Sequence, residues 1–400
     1  MTQSLPAPLR THRRLAVLAP ASALALLAAL APASAEARIF GSNPIPISVG
    51  PNGEPANGPS GGASVSGDNR LGRLAGFHSG ASNLVGGDSN GAFDVFVWSR
   101  PRGQAGLSLT QPARPSGGLS RVSVSSSGAE ANGASLNPSV DGSLRSGPRC
   151  VAFQSSASNL AAGDRDATSD VFVRNLASNQ TYLVSRGIGA AATNPSIDGS
   201  CRSVAFQAGG RIYIAGPRGG RVAAIGGGSN PDYSIDGTAV VWERGGGIAI
   251  RRNGRTSSVG GGNDPTVSNR TSGLWGVAYN AGGQAYLKNM GNRGGQGAIR
   301  ISNGCQDAQG GAGASGGVTA FGPARGIITF TQGGSNLCYF NKNTGNSDDL
   351  AHGNGPITEV STSARANFVA FTSSSSNFPF DGNGGTPDVF FKHLIDGNAL

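Results

Sequence analysis

The chain has 400 residues, 66 of them glycine and only 13% of all residues charged, with a formal net charge of +9. So much glycine argues for disorder only where apolar runs are missing; here short apolar runs separate the glycines, which excludes a disordered chain. The basic residues are scattered arginines, with lysine only at positions 288, 342 and 392, a pattern of solvated surface that excludes a nucleic-acid footprint of clustered charge and interleaved aromatics.

Residues 1–35 read as a signal peptide. Arg10, Arg13 and Arg14 precede an apolar stretch from Leu15 to Leu30, and Ala33-Ser34-Ala35 offers the small residues needed for cleavage after Ala35. Pro20 interrupts the stretch, which also falls short of the roughly 20 residues that span a bilayer. No later apolar run is long enough, so the mature chain 36–400 is expected to carry no transmembrane segment, and it keeps a charge of +6 once the three leader arginines are gone. Its expected location is secreted, either extracellular or periplasmic.

Beyond the leader, one phrase recurs. It reads HSGASNLVGGDSNGAFDVFVWS from His78, QSSASNLAAGDRDATSDVFVRN from Gln154 and TSSSSNFPFDGNGGTPDVFFKH from Thr372. Each unit opens with a short segment and an Asp-Gly pair, as in NPSVDG from Asn137 and NPSIDG from Asn194, and that pair predicts a two-residue hairpin turn. A run ending in an aromatic follows, such as Cys150-Val-Ala-Phe153 or Phe368-Val-Ala-Phe371; then comes a second run such as Asp170-Val-Phe-Val173, and a third such as Thr181-Tyr-Leu-Val184. With the opening segment, each unit supplies four antiparallel strands, and no helical periodicity interrupts them. Tandem four-stranded units predict an all-β fold, a β-propeller filling 36–400 as a single domain. Units beginning near residues 62, 137, 194, 230, 264, 315 and 357 give seven blades; six would follow if one unit in the weak stretch 245–345 were false.

The chain ends complement each other. Ile47-Ser-Val49 reads as an outer strand with no inner strands before it, and the last unit stops at Lys392-His393-Leu394 after its third strand. Placing the N-terminal strand on the C-terminal blade closes the ring and removes an open sheet edge.

Four cysteines, Cys150, Cys201, Cys305 and Cys338, lie in the mature chain, and an even count in an exported protein points to disulfides. Of three possible pairings the repeat favours Cys150 with Cys201, which leaves Cys305 with Cys338.

The acidic loops are the candidate metal site. Asp88, Asn90 and Asp94 recur as Asp164, Asp166 and Asp170, and again as Asp381, Asn383 and Asp388 with one residue inserted. Alternating oxygen ligands on a glycine-rich loop suit calcium, but no later bidentate glutamate follows. The favoured reading is that these side chains bond their own backbone to hold the turn, so no cofactor is expected. Catalytic machinery is sparse. His78, His352 and His393 form no HExxH pair, Ser79 sits one position late for a G-x-S-x-G elbow, and in the stretch Ser234 to Trp242 the Asp-Gly adjacency breaks the match to a sialidase Asp-box.

The pattern S-x-D-G, V-A-F, S-N-L, G-D-x-N/D, D-V-F-V resembles the TolB-like propellers and the related WD-type repeats of bacterial envelope proteins, most clearly over 62–100, 137–206 and 357–394. The resemblance implies a binding or scaffolding module in the envelope, and the chain is expected to be a monomer. The resulting expectation is an exported, non-catalytic propeller that binds a protein or cell-envelope polymer through one face. The alternative is a propeller enzyme, a hydrolase or lyase acting on glycans or peptides at the central channel.

Overall fold

The computed structural model describes residues 43–68, 72–100, 118–164, 166–268, 275–291, 297–303, 305, 319–322, 327–379, 381–382 and 384–394. The expected signal peptide and Asn383 lie outside the described residues. The described residues form seven four-stranded antiparallel sheets arranged as a propeller, so the ring has seven blades and not six. In each blade the strands are lettered A to D from the channel outward.

The chain enters on β1 (Ile45–Pro46). Blade 1 is β2 (Ser60–Val65), β3 (Leu74–Ser79), β4 (Asp94–Ser99) and β5 (Gly118–Arg121); blade 2 is β6 (Ser135–Val140), β7 (Cys150–Ser155), β8 (Asp170–Asn175) and β9 (Gln180–Leu183). Blade 3 is β10 (Ala192–Ile197), β11 (Val204–Ala208), β12 (Arg211–Ala215) and β13 (Ala223–Gly227); blade 4 is β14 (Ser229–Tyr233), β15 (Ala239–Arg244), β16 (Gly247–Arg252) and β17 (Arg255–Gly261). Blade 5 is β18 (Asn263–Val267), β19 (Gly276–Ala281), β20 (Gln284–Asn289) and β21 (Ile299–Arg300); blade 6 is β22 (Thr319–Gly322), β23 (Ile327–Gln332), β24 (Asn336–Asn341) and β25 (Asn346–His352). Blade 7 is β26 (Ile357–Thr362), β27 (Phe368–Ser373) and β28 (Asp388–His393), with β1 as its D strand.

The B and C strands are apolar on both faces because each is covered by a neighbouring blade on either side, so they read as continuous runs and not as alternating ones. Val95 and Val97 of blade 1 pack with Val151, Phe153 and Phe172 of blade 2, and Val171 and Val173 of blade 2 pack with Val204 and Phe206 of blade 3. In blades 1, 2, 3, 5 and 7 the aromatic ending the B run faces an aromatic of strand C across the ladder, whereas Trp242 faces Ala249 and Phe330 faces Cys338. Phe77 stacks on Phe96 (5.7 Å), Phe153 on Phe172 (5.8 Å), Phe206 on Tyr213 (5.7 Å), Tyr279 on Tyr286 (5.8 Å) and Phe371 on Phe390 (5.6 Å). Such a pair adds about 0.5–1.5 kcal/mol beyond its area burial.

Closure of the ring uses both chain ends, with the outer strand starting two residues before the predicted Ile47. Ile45 and Pro46 pair with Phe391 and Phe390, and the Ile47 N–H donates to the Val389 carbonyl at 2.8 Å. The register is set by Ile45 and Ile47, which share one face of the strand and are both buried in the cluster between blades 7 and 1. Pro46 is tolerated because an outermost strand leaves one side of its backbone unpaired.

The Asp-Gly pairs do not make two-residue hairpins. A–B pairing ends at Val140 with Val151 in blade 2 and at Ile197 with Val204 in blade 3, leaving longer connections. The aspartate carboxylates close them: Asp141 Oδ1 accepts the N–H groups of Arg149 (2.6 Å) and Cys150 (2.8 Å), and Asp198 Oδ1 accepts that of Arg202 (2.7 Å). The sequence signal for a turn was right, but the side chain decides its length.

Cys150 pairs with Cys201, Cα atoms 5.9 Å apart, joining blade 2 to blade 3; Cys305 pairs with Cys338 at 6.0 Å, joining the segment after β21 to blade 6. Four strands per blade bring the chain back to the same end each time, so all A–B and C–D turns lie on one face of the ring and all B–C and D–A connections on the other. These are called the A–B face and the B–C face.

Candidate functional site

The A strands of blades 1 to 5 and 7 line a central cavity of about 380 Å³. Its wall is made by a bulge that recurs at the Asn-Pro doublets. A–B register shifts between Leu136 and Ser139, Thr193 and Ser196, Ser229 and Asp232, and Asn263 and Thr266. At these bulges Asn137, Asn194, Asn230 and Asp264 adopt left-handed backbone, with φ of 50°, 50°, 49° and 48°. Asn and Asp tolerate that region, and the proline that follows has no N–H to pair, so the ladder is interrupted there at little cost.

The bulge frees a backbone N–H, which the preceding blade captures. Asn137 N–H donates to His78 Nδ1 (3.3 Å), Asn194 N–H to Gln154 Oε1 (2.9 Å), Asn230 N–H to Gln207 Oε1 (2.8 Å) and Asp264 N–H to Glu243 Oε1 (2.9 Å). In blade 1, Gly62 N–H donates to Glu359. The carboxamides then link to one another: Asn137 Nδ2 donates to Asn194 Oδ1 (2.9 Å), Asn194 Nδ2 to Asn230 Oδ1 (2.8 Å), and Asn230 Nδ2 to Glu243 Oε1 (3.0 Å). Burial lowers the pKa of His78 despite the nearby Glu359 charge, which keeps the imidazole neutral and Nδ1 free to accept.

A second hoop lies nearer the A–B face. The N–H groups of Val65, Val140, Ile197 and Tyr233 donate to the hydroxyls of Ser361, Ser64, Ser139 and Ser196 of the preceding blade, at 2.9, 3.0, 3.1 and 2.9 Å. In blade 4 the serine position is taken by Asp232, whose Oδ2 accepts from Val267 N–H at 2.9 Å and Thr266 Oγ1 at 3.1 Å. Burial pushes the Asp232 carboxyl up to about 6, although the N–H of Val267 and the hydroxyls of Thr266 and Ser196 favour its charged form. A folded-state pKa above the unfolded value means that stability is fully present below about pH 4 and is lost as pH rises through 6. Asp232→Asn is therefore expected to raise the unfolding free energy at pH 8 by about 1–2 kcal/mol and to leave it unchanged at pH 4. Denaturant titrations at the two pH values check this; equal effects at both would reject the burial argument.

At the A–B end, turn residues close across the cavity. Gly142 N–H donates to the Gly199 carbonyl at 3.2 Å and Gly199 N–H to the Ile235 carbonyl at 2.9 Å. A Cβ at Gly67 would stand 2.4 Å from the Gly142 carbonyl oxygen and 3.0 Å from Ile235 Cδ1, so no larger residue fits there.

The acidic loops lie on the B–C face, and the last aspartate of each has a structural task. Ser123, Ser185 and Ser48, all just beyond a D strand, donate to Asp94, Asp170 and Asp388, with distances of 2.6 Å for Asp94 and 2.7 Å for Asp388. The same hydroxyls accept the N–H of Val95, Val171 and Val389 at 3.0, 2.9 and 3.0 Å. Each aspartate thus helps to fasten strand C to the outer strand. Asn90 and Asp166 hold their own turns, accepting from Ala92 N–H at 2.7 Å and Thr168 N–H at 2.8 Å.

Two of the loops gather three carboxylates, Asp88, Asp94 and Glu130 in blade 1 and Asp164, Asp166 and Asp170 in blade 2, with oxygens within 4.8 Å of one another. In blade 1 the Arg121 guanidinium already stands among them, 2.9 Å from Asp94, 3.7 Å from Asp88 and bonded to Glu130, so a metal ion does not fit. Glu130 would be lifted by its partial burial, but the Ser89 N–H and hydroxyl and Arg121 hold it at about 2. In blade 2, Leu183 pairs with Phe172 as Arg121 pairs with Phe96, and the Arg186 guanidinium donates to the Ala162 carbonyl of the same loop at 2.7 Å. Burial lifts the Asp170 carboxyl, the Ser185 hydroxyl opposes this, and the Asp164 and Asp166 charges add to the lift. Calcium and chelator are expected to leave the melting temperature unchanged, while Asp164→Asn with Asp170→Asn lowers it through lost turn and latch hydrogen bonds. A calcium-dependent rise that disappears in the double variant would reverse this reading.

Of the other residues weighed from sequence, His352 lies between Asn336 (3.1 Å) and Asp349 (3.4 Å), and His393 stacks on Phe368 at 4.8 Å. The asparagine hoop was not foreseen, although its signal, an Asn-Pro or Asp-Pro doublet at a fixed place in successive units, stands in the sequence.

No protein-family model matches the chain, and no curated protein matches it. A chain in the crystal structure of a mitotic checkpoint complex is similar, with a TM-score of 0.51 at 12% identity over 84% of this chain and 86% of that one. That likeness shows the propeller fold alone.

Proposed function

We propose that this is an exported propeller of the TolB-like envelope type that binds a protein or envelope polymer at its B–C face without turnover. The observation that carries the reading is the hoop of Asn137, Asn194 and Asn230: the polar side chains of the channel wall are bonded to one another and to neighbouring blades, which suits a scaffold better than a reactive site. Closure of the channel at Gly142, Gly199 and Ile235 leaves the B–C face as the side from which a ligand meets the inner strands. Two cysteine pairs at disulfide distance suit an oxidising compartment, and the similar fold of a chain from a protein assembly suits an interaction module.

A photo-crosslinking residue at Gly86 or Gly189, where an added Cβ meets nothing within 4 Å, tests the face. A discrete adduct with an envelope protein or polymer is expected from both positions and not from position 145 on the opposite face. Absence of adducts from Gly86 and Gly189 would reject the B–C face, and hydrolysis of an envelope glycan or peptide that Asp232→Asn or Glu359→Gln abolishes would replace the scaffold with the enzyme reading.

A further inference from the structure

The arginines that look scattered in the sequence are gathered by the topology. Arg145, Arg149, Arg202, Arg218, Arg221 and Arg255 are all exposed; the first five lie in A–B or C–D turns of blades 2 and 3, and Arg255 opens β17 directly after the C–D turn of blade 4. None of them is in an ion pair with a carboxylate among the described residues. The aspartates of the same turns point inward: Asp141 and Asp198 are 1% and 4% exposed and accept backbone N–H groups. The opposite face carries the acidic loops, with Asp88, Glu130, Asp164, Asp166 and Asp381. The B–C face mixes these acids with the exposed Arg186, Arg211 and Arg244, whereas the six arginines stand together at the A–B end, a grouping that the order of charges along the chain does not show.

We propose that the A–B face docks on an anionic phospholipid surface, with the exposed arginines of blades 2 to 4 as its phosphate contacts. Three features select a planar bed of phosphates over a linear polymer. The turn tips of successive blades stand at one end of the ring, and among the described residues Gly67, Gly142, Gly199 and Ile235 meet across the channel there, so blades 1 to 4 offer no central groove to hold a chain. No aromatic lies within three residues of any of the six arginines in sequence, and Tyr182 is covered by the Arg218 guanidinium at 5.8 Å. Guanidinium is the side chain best shaped for phosphate oxygens. Ile299 of blade 5 is the sole large hydrophobic exposed among the described residues, so attachment is by charge at the headgroups and not by insertion. Docked in this way, the protein turns its B–C face away from the membrane.

The full chain is mixed with vesicles of phosphatidylcholine alone or with about 30 mol% phosphatidylglycerol, and the bound fraction is read by sedimentation across a salt series. Binding to the anionic vesicles alone, weakening as salt rises, is expected. The triple variant R202Q/R218Q/R221Q should bind about tenfold more weakly, while R186Q/R211Q/R244Q, which removes the same charge from the B–C face, should bind as the parent does. Equal melting temperatures of the two variants show that both are folded, and the single substitution R218Q serves if the triple variant is not. Three results would overturn the proposal: no binding to anionic vesicles at low salt, equal weakening by both triple variants, or tighter binding to duplex DNA than to the vesicles. None of these depends on a protein partner at the other face.

Discussion

Deletion of residues 39–56 should abolish the cooperative unfolding transition or move it far down in temperature. The segment holds the only D strand of blade 7, and with it go the buried side chains of Ile45, Ile47, Val49 and Ala56. Burial of each large aliphatic group contributes about 1.5–3 kcal/mol, so three of them approach the about 5–15 kcal/mol that holds a typical domain together. The deletion also opens β28 as an edge whose apolar residues Val389 and Phe391 lose their cover, which favours aggregation. Ile47→Ala alone, at a site 1% exposed, is expected to cost about 2–5 kcal/mol and provides a folded intermediate case. A truncated chain that keeps the full transition would mean that the ring does not depend on its N-terminal strand.

Loss of the Cys150–Cys201 link is the second large effect. The cysteines are 51 residues apart, and closing a loop of that length restricts the unfolded chain by about 4 kcal/mol in the chain-entropy account. Cys201 has left-handed backbone with φ of 51°, at the turn position where blade 7 places Ala366 with φ of 53° and blade 4 places Gly237. Because blade 7 accepts alanine there, Cys201→Ala should fit its turn, and the paired variant with Cys150→Ala should lose about 3–4 kcal/mol, chiefly through the freer unfolded chain. Denaturant midpoints under non-reducing conditions measure this. A double variant as stable as the parent, or peptide mapping that finds free thiols or crossed pairs, would reject the assignment of the link.

The repeat, the strand count and the closure of the ring are local or periodic properties, and they could be read directly. Runs such as Asp170-Val-Phe-Val173 are strands because β-branched and aromatic residues fill a surface covered on both sides, and their spacing counts the blades. The pairing of Cys150 with Cys201 also followed, because corresponding points of adjacent units must lie close in any stacked repeat. The sequence points to Asp94, Asp170 and Asp388 bonding their own backbone; the structure joins them instead to the hydroxyls of Ser123, Ser185 and Ser48, which lie just beyond outer strands that sequence distance does not connect.

What escaped the sequence depends on angles and on neighbours across blades. The Asp-Gly pair signals a turn, but its length was decided by where the Asp141 carboxylate finds two N–H groups eight and nine residues on. The Asn-Pro doublets read only as part of each unit's opening segment until the ring places Asn137, Asn194 and Asn230 side by side in the channel, where their amides meet. The arginines are the sharpest case. Sequence alone determined that this is an all-β ring of four-stranded repeats and favoured seven blades over six, because periodicity and apolar runs are written along the chain; the structure decided seven. Only the tertiary structure decided that Arg145, Arg202 and Arg255 share one face, because four antiparallel strands per blade send every alternate turn to the same end of the ring, and closing that ring brings distant turns together.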